Sequence, residues 1–244
     1  MNLVIGSGQK TASIVWLEPG HVHAGSHDHA LAELPGGEPL ARALAALPAG
    51  PTHWVVDDEL VPTLLLRDIA ELPAGTEARE AFFRWRFARD LLLDAPQFVQ
   101  ALAMGENTWL VAGLDQGLRE AWVQAAAAAG RPMRQLVPRW LWMYNRLAPS
   151  REVPGLLLAL SPRPGGTWTG TLAAWSRNLT LLRQWSDPAS ADTWNQERVL
   201  PTIAYLQRDA RSPLDLHLWG ATQWPDCGIP VRILPRDLPE REAL

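Results

Sequence analysis

Apolar and polar positions along the chain follow two periods, two where an extended strand hides one face and about 3.6 where a helix does. The first half opens with an apolar strand, Asn2 to Ile5, and a glycine-containing turn. An alternating strand, Ala12-Ser13-Ile14-Val15-Trp16-Leu17, then reaches the Pro19-Gly20 turn and a third extended piece from His21. An amphipathic helix with Leu40, Ala43, Leu44 and Leu47 on one face and a strand from His53 to Val56 complete the series. The second half starts with Gly155-Leu156-Leu157-Leu158-Ala159-Leu160, turns through Pro164-Gly165-Gly166, and continues as strands Trp168 to Trp175 and Leu179 to Trp185. A helix from about Asp192 to Asp209 and a strand from Leu214 to Trp219 follow, so both halves read strand, strand, strand, helix, strand.

Repetition of that order predicts an α/β chain of two related lobes, each an antiparallel meander extended by a parallel strand beyond a crossover helix. This is the ribonuclease-H-like half of an actin-type fold, used twice. Between the halves the pattern predicts added material. Thr63 to Arg67 reads as a strand, and after Leu72-Pro73-Ala74-Gly75 a helix opens with Thr76 as N-cap and Glu77 and Glu80 in its first turn. Its apolar residues, Phe82, Phe83, Trp85, Phe87, Leu91 and Leu92 among them, spread too widely for one buried side, so it is expected to touch neighbours on two sides. Strand Thr108 to Gly113, a helix capped by Asp115 with Gly130 at its C′ position, and a closing helix from Arg139 to Leu147 follow. With Ala148-Pro149-Ser150 as hinge, residues 1–150 form the expected first lobe, with an inserted subdomain at about 51–104, and residues 151–244 a second.

Composition narrows the function. The 26 acidic residues outnumber 22 basic ones, of which only Lys10 is a lysine, which argues against a nucleic-acid surface. A single cysteine, Cys227, excludes an internal disulfide and a multi-cysteine zinc site and fits a reducing compartment. The N-terminus reads as a strand and not a secretion signal, and no apolar run reaches the ~18–20 residues of a membrane-spanning helix, so a membrane role would need a recruiting partner and no direct insertion. The 13 tryptophans are scattered from Trp16 to Trp224 inside apolar patterns, which assigns them to core and interface packing.

Candidate chemistry is sparse. His21, His23, His27 and His29, with Asp28, place imidazoles at strand spacing where a hairpin would converge them on a divalent ion, but no second cluster completes a shell, and an exposed polar hairpin is the favoured reading. Gly6-Ser7-Gly8 follows a strand as phosphate loops do, yet fits neither the P-loop nor the dinucleotide pattern, and Pro164-Gly165-Gly166 has the same weakness; hairpin turns explain both. No GxSxG is present, Cys227 reads as an inert thiol, and Asp57-Asp58-Glu59 reads as a solvated turn.

Three stretches carry a family resemblance: Thr52-His53-Trp54-Val55-Val56, Leu64-Leu65-Leu66-Arg67-Asp68-Ile69-Ala70-Glu71-Leu72-Pro73, and Glu80-Ala81-Phe82-Phe83-Arg84-Trp85-Arg86-Phe87-Ala88-Arg89. With Thr108 to Gly113, the helix to Gly130, Arg131 to Leu136 and Trp140-Leu141, they resemble the PilM family, actin-like proteins of type IV pilus assembly, and the related MshI and GspL cytoplasmic domains. ATP-binding members carry an Asp-Ile-Gly in the opening strand of each half, where this chain reads Val4-Ile5-Gly6 and Ala159-Leu160-Ser161; the adenosine-contacting glycines are matched only at Gly220-Ala221. The short passage from Trp185 to Asp192 leaves no room for the subdomain that roofs the nucleotide. Gly6, Ser7, Gly8, Gly165, Gly166 and Gly220 then mark vestigial nucleotide-site positions. The resemblance implies a cofactor-free pseudo-ATPase scaffold, cytoplasmic and peripheral to the inner membrane. Its partners would be the tail of a PilN-like membrane protein, held as an extended peptide between first lobe and inserted subdomain, and other assembly-platform proteins. Leu64, Leu66, Phe82, Phe83 and Arg84 are the expected partner-binding residues. An ATP-dependent kinase-like enzyme of the same superfamily and a metal protein built on the histidine cluster are the alternatives.

Overall fold

The computed structural model describes residues 13–18, 21–24, 27–30, 37–95, 97–105, 107–147, 153–176, 178–208 and 213–235. The chain divides into two compact units whose border falls between Arg139 and Trp140.

The first unit contains β1 (Ser13–Glu18), β2 (His21–Ala24), β3 (His27–Ala30), α1 (Gly37–Ala45), β4 (Thr52–Val56), β5 (Thr63–Leu66), α2 (Thr76–Leu91), β6 (Gln97–Gly105), β7 (Thr108–Asp115), α3 (Gln116–Ala128) and β8 (Met133–Pro138). Five strands form a sheet in the order β3-β2-β1-β4-β8, antiparallel through β3-β2-β1 and parallel through β1-β4-β8. The meander therefore starts one strand later than the pattern predicts: Ser13–Glu18, expected second, is the strand beside β4, and the extended piece from His21 is two strands. The expected strand at 2–5 and the turn Gly6-Ser7-Gly8 lie outside the described residues. A β-meander repeats one local pattern, so order along the chain does not say which strand is central; the parallel pairing with β4 does.

Leu40, Ala43, Leu44 and Leu47 are all buried, as their spacing requires, and pack with Val15, Leu17, Val22 and Trp54 of the sheet and Trp122 and Ala126 of α3. Trp54 and Trp122 lie 5.9 Å apart, and the Trp54 indole N–H donates to Thr52 Oγ1 at 2.8 Å, so its polar atom is satisfied in the core. Full burial of each such leucine contributes about 1.5–3 kcal/mol.

A second sheet of three antiparallel strands, in the order β5-β7-β6, carries α2 on one face. It extends past residue 104 to Asp115, whereas β4, inside the expected insertion, belongs to the main sheet. Register puts Leu64, Leu66, Trp109, Val111 and Gly113 on the α2 face. Phe83 packs tilted against Trp109 with ring centroids 4.9 Å apart, and Phe87 occupies the space above Gly113, where a Cβ would lie 2.3 Å from its ring. Here α2 differs from expectation twice. Gly75, not Thr76, is its N-cap and no side chain caps it; and of its aromatics only Phe83 and Phe87 are buried, with Trp85 55% exposed beneath the Arg89 guanidinium. The wide apolar face is thus one packed side plus an aromatic shielded by a neighbour on its own helix.

Trp140 onward, the rest of α4 (Arg139–Arg146) belongs to the second unit, with β9 (Gly155–Arg163), β10 (Thr167–Trp175), β11 (Leu179–Ala189), α5 (Ala191–Trp194), α6 (Leu200–Gln207), β12 (Asp215–Trp219) and β13 (Val231–Ile233). The sheet order is β11-β10-β9-β12-β13, again antiparallel through the meander and parallel beyond it. The fifth strand, β13, was not signalled by the sequence, being only three residues long. Central β9 is buried along both faces from Gly155 to Ser161, which explains its unbroken apolar run. Between β11 and α5 stands only Ser190, whose Oγ accepts the Thr193 N–H. A π-helical turn, Asn195–Val199, joins α5 to α6 just before Pro201, where the missing N–H and the ring's bulk would break a regular helix.

Candidate functional site

Strand ends collect the first unit's buried charge. β1 and β4 run parallel and finish at Glu18 and, one residue beyond β4, Asp57. Arg139, at the start of α4, directs Nη1 to Asp57 Oδ2 at 3.1 Å and to Glu18 Oε1 at 3.4 Å. Asp57 and Arg139 are each only 1% exposed, and the other Asp57 oxygen accepts the Glu59 N–H at 3.0 Å. This corrects the reading of Asp57-Asp58-Glu59 as a solvated turn: Asp57 and Asp58 are buried. The carboxyl ends of parallel strands are where open α/β sheets receive ligands. Here a guanidinium already neutralises the two acids that reach that place.

The histidine hairpin forms, but its register sets Asp28 opposite His23 and His29 opposite the buried Val22, so the two histidine pairs are out of phase. His21 and His23 stack with ring centroids 6.2 Å apart, and His23 Nε2 lies 3.9 Å from Glu18. Among the described residues no group of three or more His, Cys, Asp or Glu is placed to hold a metal ion. Gly165 and Gly166 adopt φ of 77° and 72° and make the β9–β10 hairpin turn. Gly220, at φ 100°, follows β12 where a Cβ would lie 2.1 Å from the Leu160 carbonyl oxygen, so backbone packing demands glycine there. Burial raises the pKa of the Cys227 thiol, in keeping with an inert sulfur.

Of the expected partner-binding residues, Leu66 and Phe83 form the small core under α2, with Leu64 and Phe82 packed against it, while Arg84 is exposed on the outer surface of α2. The cleft of the first unit lies on the opposite face of the small sheet. Val61, Phe98, Gln100, Ala112, Gly113, Leu114, Leu136 and Pro138 line it, around a shallow space of about 20 Å³ that opens to solvent. One wall is therefore β6 and β7, and the other is β8, the last strand of the main sheet on that side among the described residues. Beside it α3 begins directly after β7, with the Asp115 carboxylate accepting the Leu118 N–H at 2.8 Å. One turn later Arg119 lies over the Phe98 ring at 4.1 Å from its centroid.

Sequence reasoning missed Phe98, Arg119 and the whole of β6. Gln97-Phe98-Val99-Gln100-Ala101-Leu102-Ala103-Met104 mixes good helix formers with no clean alternation, because one face packs under α2 and the other turns to the cleft. No helix among the described residues is long and apolar enough to cross a membrane.

Compared by sequence, the chain matches no family model and no curated protein. Compared by structure, it is similar to a chain of the PilM-PilN type IV pilus biogenesis complex, with a TM-score of 0.58 and 12% identity over 87% of this chain and 82% of that one. It is also aligned, at a TM-score of 0.43 and 14% identity over 92% and 85% of the two chains, with the cytoplasmic domain of EpsL, an inner membrane component of the Vibrio cholerae type II secretion system. The first of these likenesses is one of fold, that of a mixed α/β chain with three sheets among the described residues.

Proposed function

We propose that this protein is a non-catalytic scaffold of a type IV pilus or related secretion assembly platform, holding the extended tail of a PilN-like membrane protein in the cleft between its main sheet and its small sheet. The observation that carries the reading is an apolar cleft beside β8, the outermost strand of its sheet among the described residues, in a chain similar in fold to one from a PilM-PilN complex. An extended peptide gains backbone hydrogen bonds from such an edge and specificity from alternate side chains seated on apolar walls. The expected contacts therefore move from Leu64, Leu66, Phe82 and Phe83, which serve the small core, to Val61, Phe98, Gln100 and Leu136. Arg84 remains a candidate for an outer contact.

A pseudo-ATPase follows from three features. Ala159-Leu160-Ser161 supplies no acid on β9, Arg139 occupies the acids at the ends of β1 and β4, and a single residue joins β11 to α5 where a roofing subdomain would have to be inserted. Phosphoryl transfer would lack its metal-holding and water-excluding parts. Residues 1–150 and 151–244 are read as first and second actin-like lobes on the same grounds. Isothermal calorimetry tests the proposal, with Mg-ATP in one titration and the cytoplasmic tail peptide of the neighbouring PilN-like protein in another. Peptide binding without ATP binding is expected; micromolar ATP binding without peptide binding would overturn it in favour of the kinase-like enzyme.

A further inference from the structure

We infer that the cleft of the first unit selects a peptide carrying an acidic residue, and that Arg119 is the side chain that reads it; this rests on the cleft being a peptide site and adds the chemistry of its occupant. The lining is apolar apart from Gln100, so it rewards apolar side chains without ordering them along the chain. Arg119 is the cation beside that lining. Its guanidinium carbon lies 4.1 Å from the centroid of Phe98, one of the lining residues, in a cation–π contact that leaves its hydrogen-bonding capacity unspent. Its Nε is buried and has no hydrogen-bond acceptor among the described residues. Arg42, Arg86, Arg89, Arg139, Arg198 and Arg232 each meet an acid, whereas Arg119 forms no ion pair among the described residues.

Its surroundings add to the same sign. Arg119 stands near the N-terminal end of α3, whose backbone N–H groups carry positive partial charge, and the first turn of α3 holds no acid. Asp115, four residues before Arg119, caps the Leu118 N–H, and Glu120, the next residue, accepts from Gln116. A half-buried guanidinium with a dry, unmet donor is a prepared partner for a carboxylate, which matches its fork with two parallel hydrogen bonds. The occupant is a peptide rather than a small anion because the space continues along apolar walls to β8, the outermost strand of the main sheet among the described residues, which a phosphate or free carboxylate would leave uncovered.

The test is a displayed library of random 12-residue peptides selected on the full chain, and counter-selected on Gln100→Trp, which fills the cleft from a partly exposed position. Peptides lost on counter-selection are the cleft binders. They are expected to share one Asp or Glu flanked by apolar residues at alternate positions. Replacing that acid by its amide, or Arg119 by Ala, should each weaken binding at least tenfold, and the two changes together no more than one alone. Arg119→Lys should recover only part, and added salt should narrow the gap. Cleft binders with no shared acid, or with unchanged affinity for Arg119→Ala, would overturn the assignment of Arg119 while leaving the cleft a peptide site. A selection that yields no peptide sensitive to Gln100→Trp would overturn both.

Discussion

Arg139 and Arg198 show two ways of placing a guanidinium where water is scarce. Arg198 lies against the faces of Trp194 and Trp185, 4.3 and 5.0 Å from their centroids, with the exposed Asp187 as its acid. Arg139 is held by carboxylates, and its removal takes the guanidinium away from the buried Asp57. Breaking a buried pair from one side costs about 3–5 kcal/mol. Arg139→Met is expected to lower the unfolding free energy by that amount in urea titration, and Arg139→Met with Asp57→Asn to recover part of it; a single-variant loss below about 1 kcal/mol would show that Asp57 needs no cation. Little of this was legible in the sequence. Three consecutive acids after a strand look solvated, and the partner that buries the first of them stands 82 residues away by numbering, at the head of a helix.

His217 offers a pH test at the same scale. It is packed against Trp175, and burial, aided by the charge of Arg232, lowers its pKa; burial beside Arg134 does the same to His53. Because the folded pKa lies below the unfolded value of about 6.5, the unfolded chain binds protons first as pH falls, so stability declines from about pH 6.5 downward. His217→Phe, which keeps a ring beside Trp175, is expected to flatten the fall in melting temperature between pH 7 and 5.5. A slope identical to that of the unaltered protein would remove His217 as its cause.

At the scale of elements, the regular amphipathic pieces were legible and the shared ones were not. Helix α1 and the capped α3 followed from spacing, Asp115 and Gly130, since each buries one face and ends on residues suited to helix ends. Helix α2 and strand β6 were harder because their surroundings, not their propensities, decide which aromatic or aliphatic residue is covered. The contact between α2 and the small sheet turns on one position. Gly113→Ala would drive a methyl group into the Phe87 ring, and the expected loss is about 1–3 kcal/mol, as for other overpacked sites. Pairing it with Phe87→Leu should relieve part of that loss in thermal melts; strict additivity of the two changes would mean that they do not meet. Leu66 and Phe83 belong to this contact, which is why apolar type alone could not separate groove from core.

For the molecule as a whole, the strand order of each five-stranded sheet is the same, and the shared wiring was visible in the repeated order of elements although the first central strand was placed one step early. The cleft was not visible, because it belongs to no single segment: its walls come from β6, β7 and β8 and the loop at Val61. The edge of β8, outermost in its sheet among the described residues, has a further consequence. Unsatisfied strand edges accept any extended chain, including a second molecule of the same sequence. A chain with such an edge uncovered is exposed to self-aggregation, so whatever extended segment pairs with it also protects solubility.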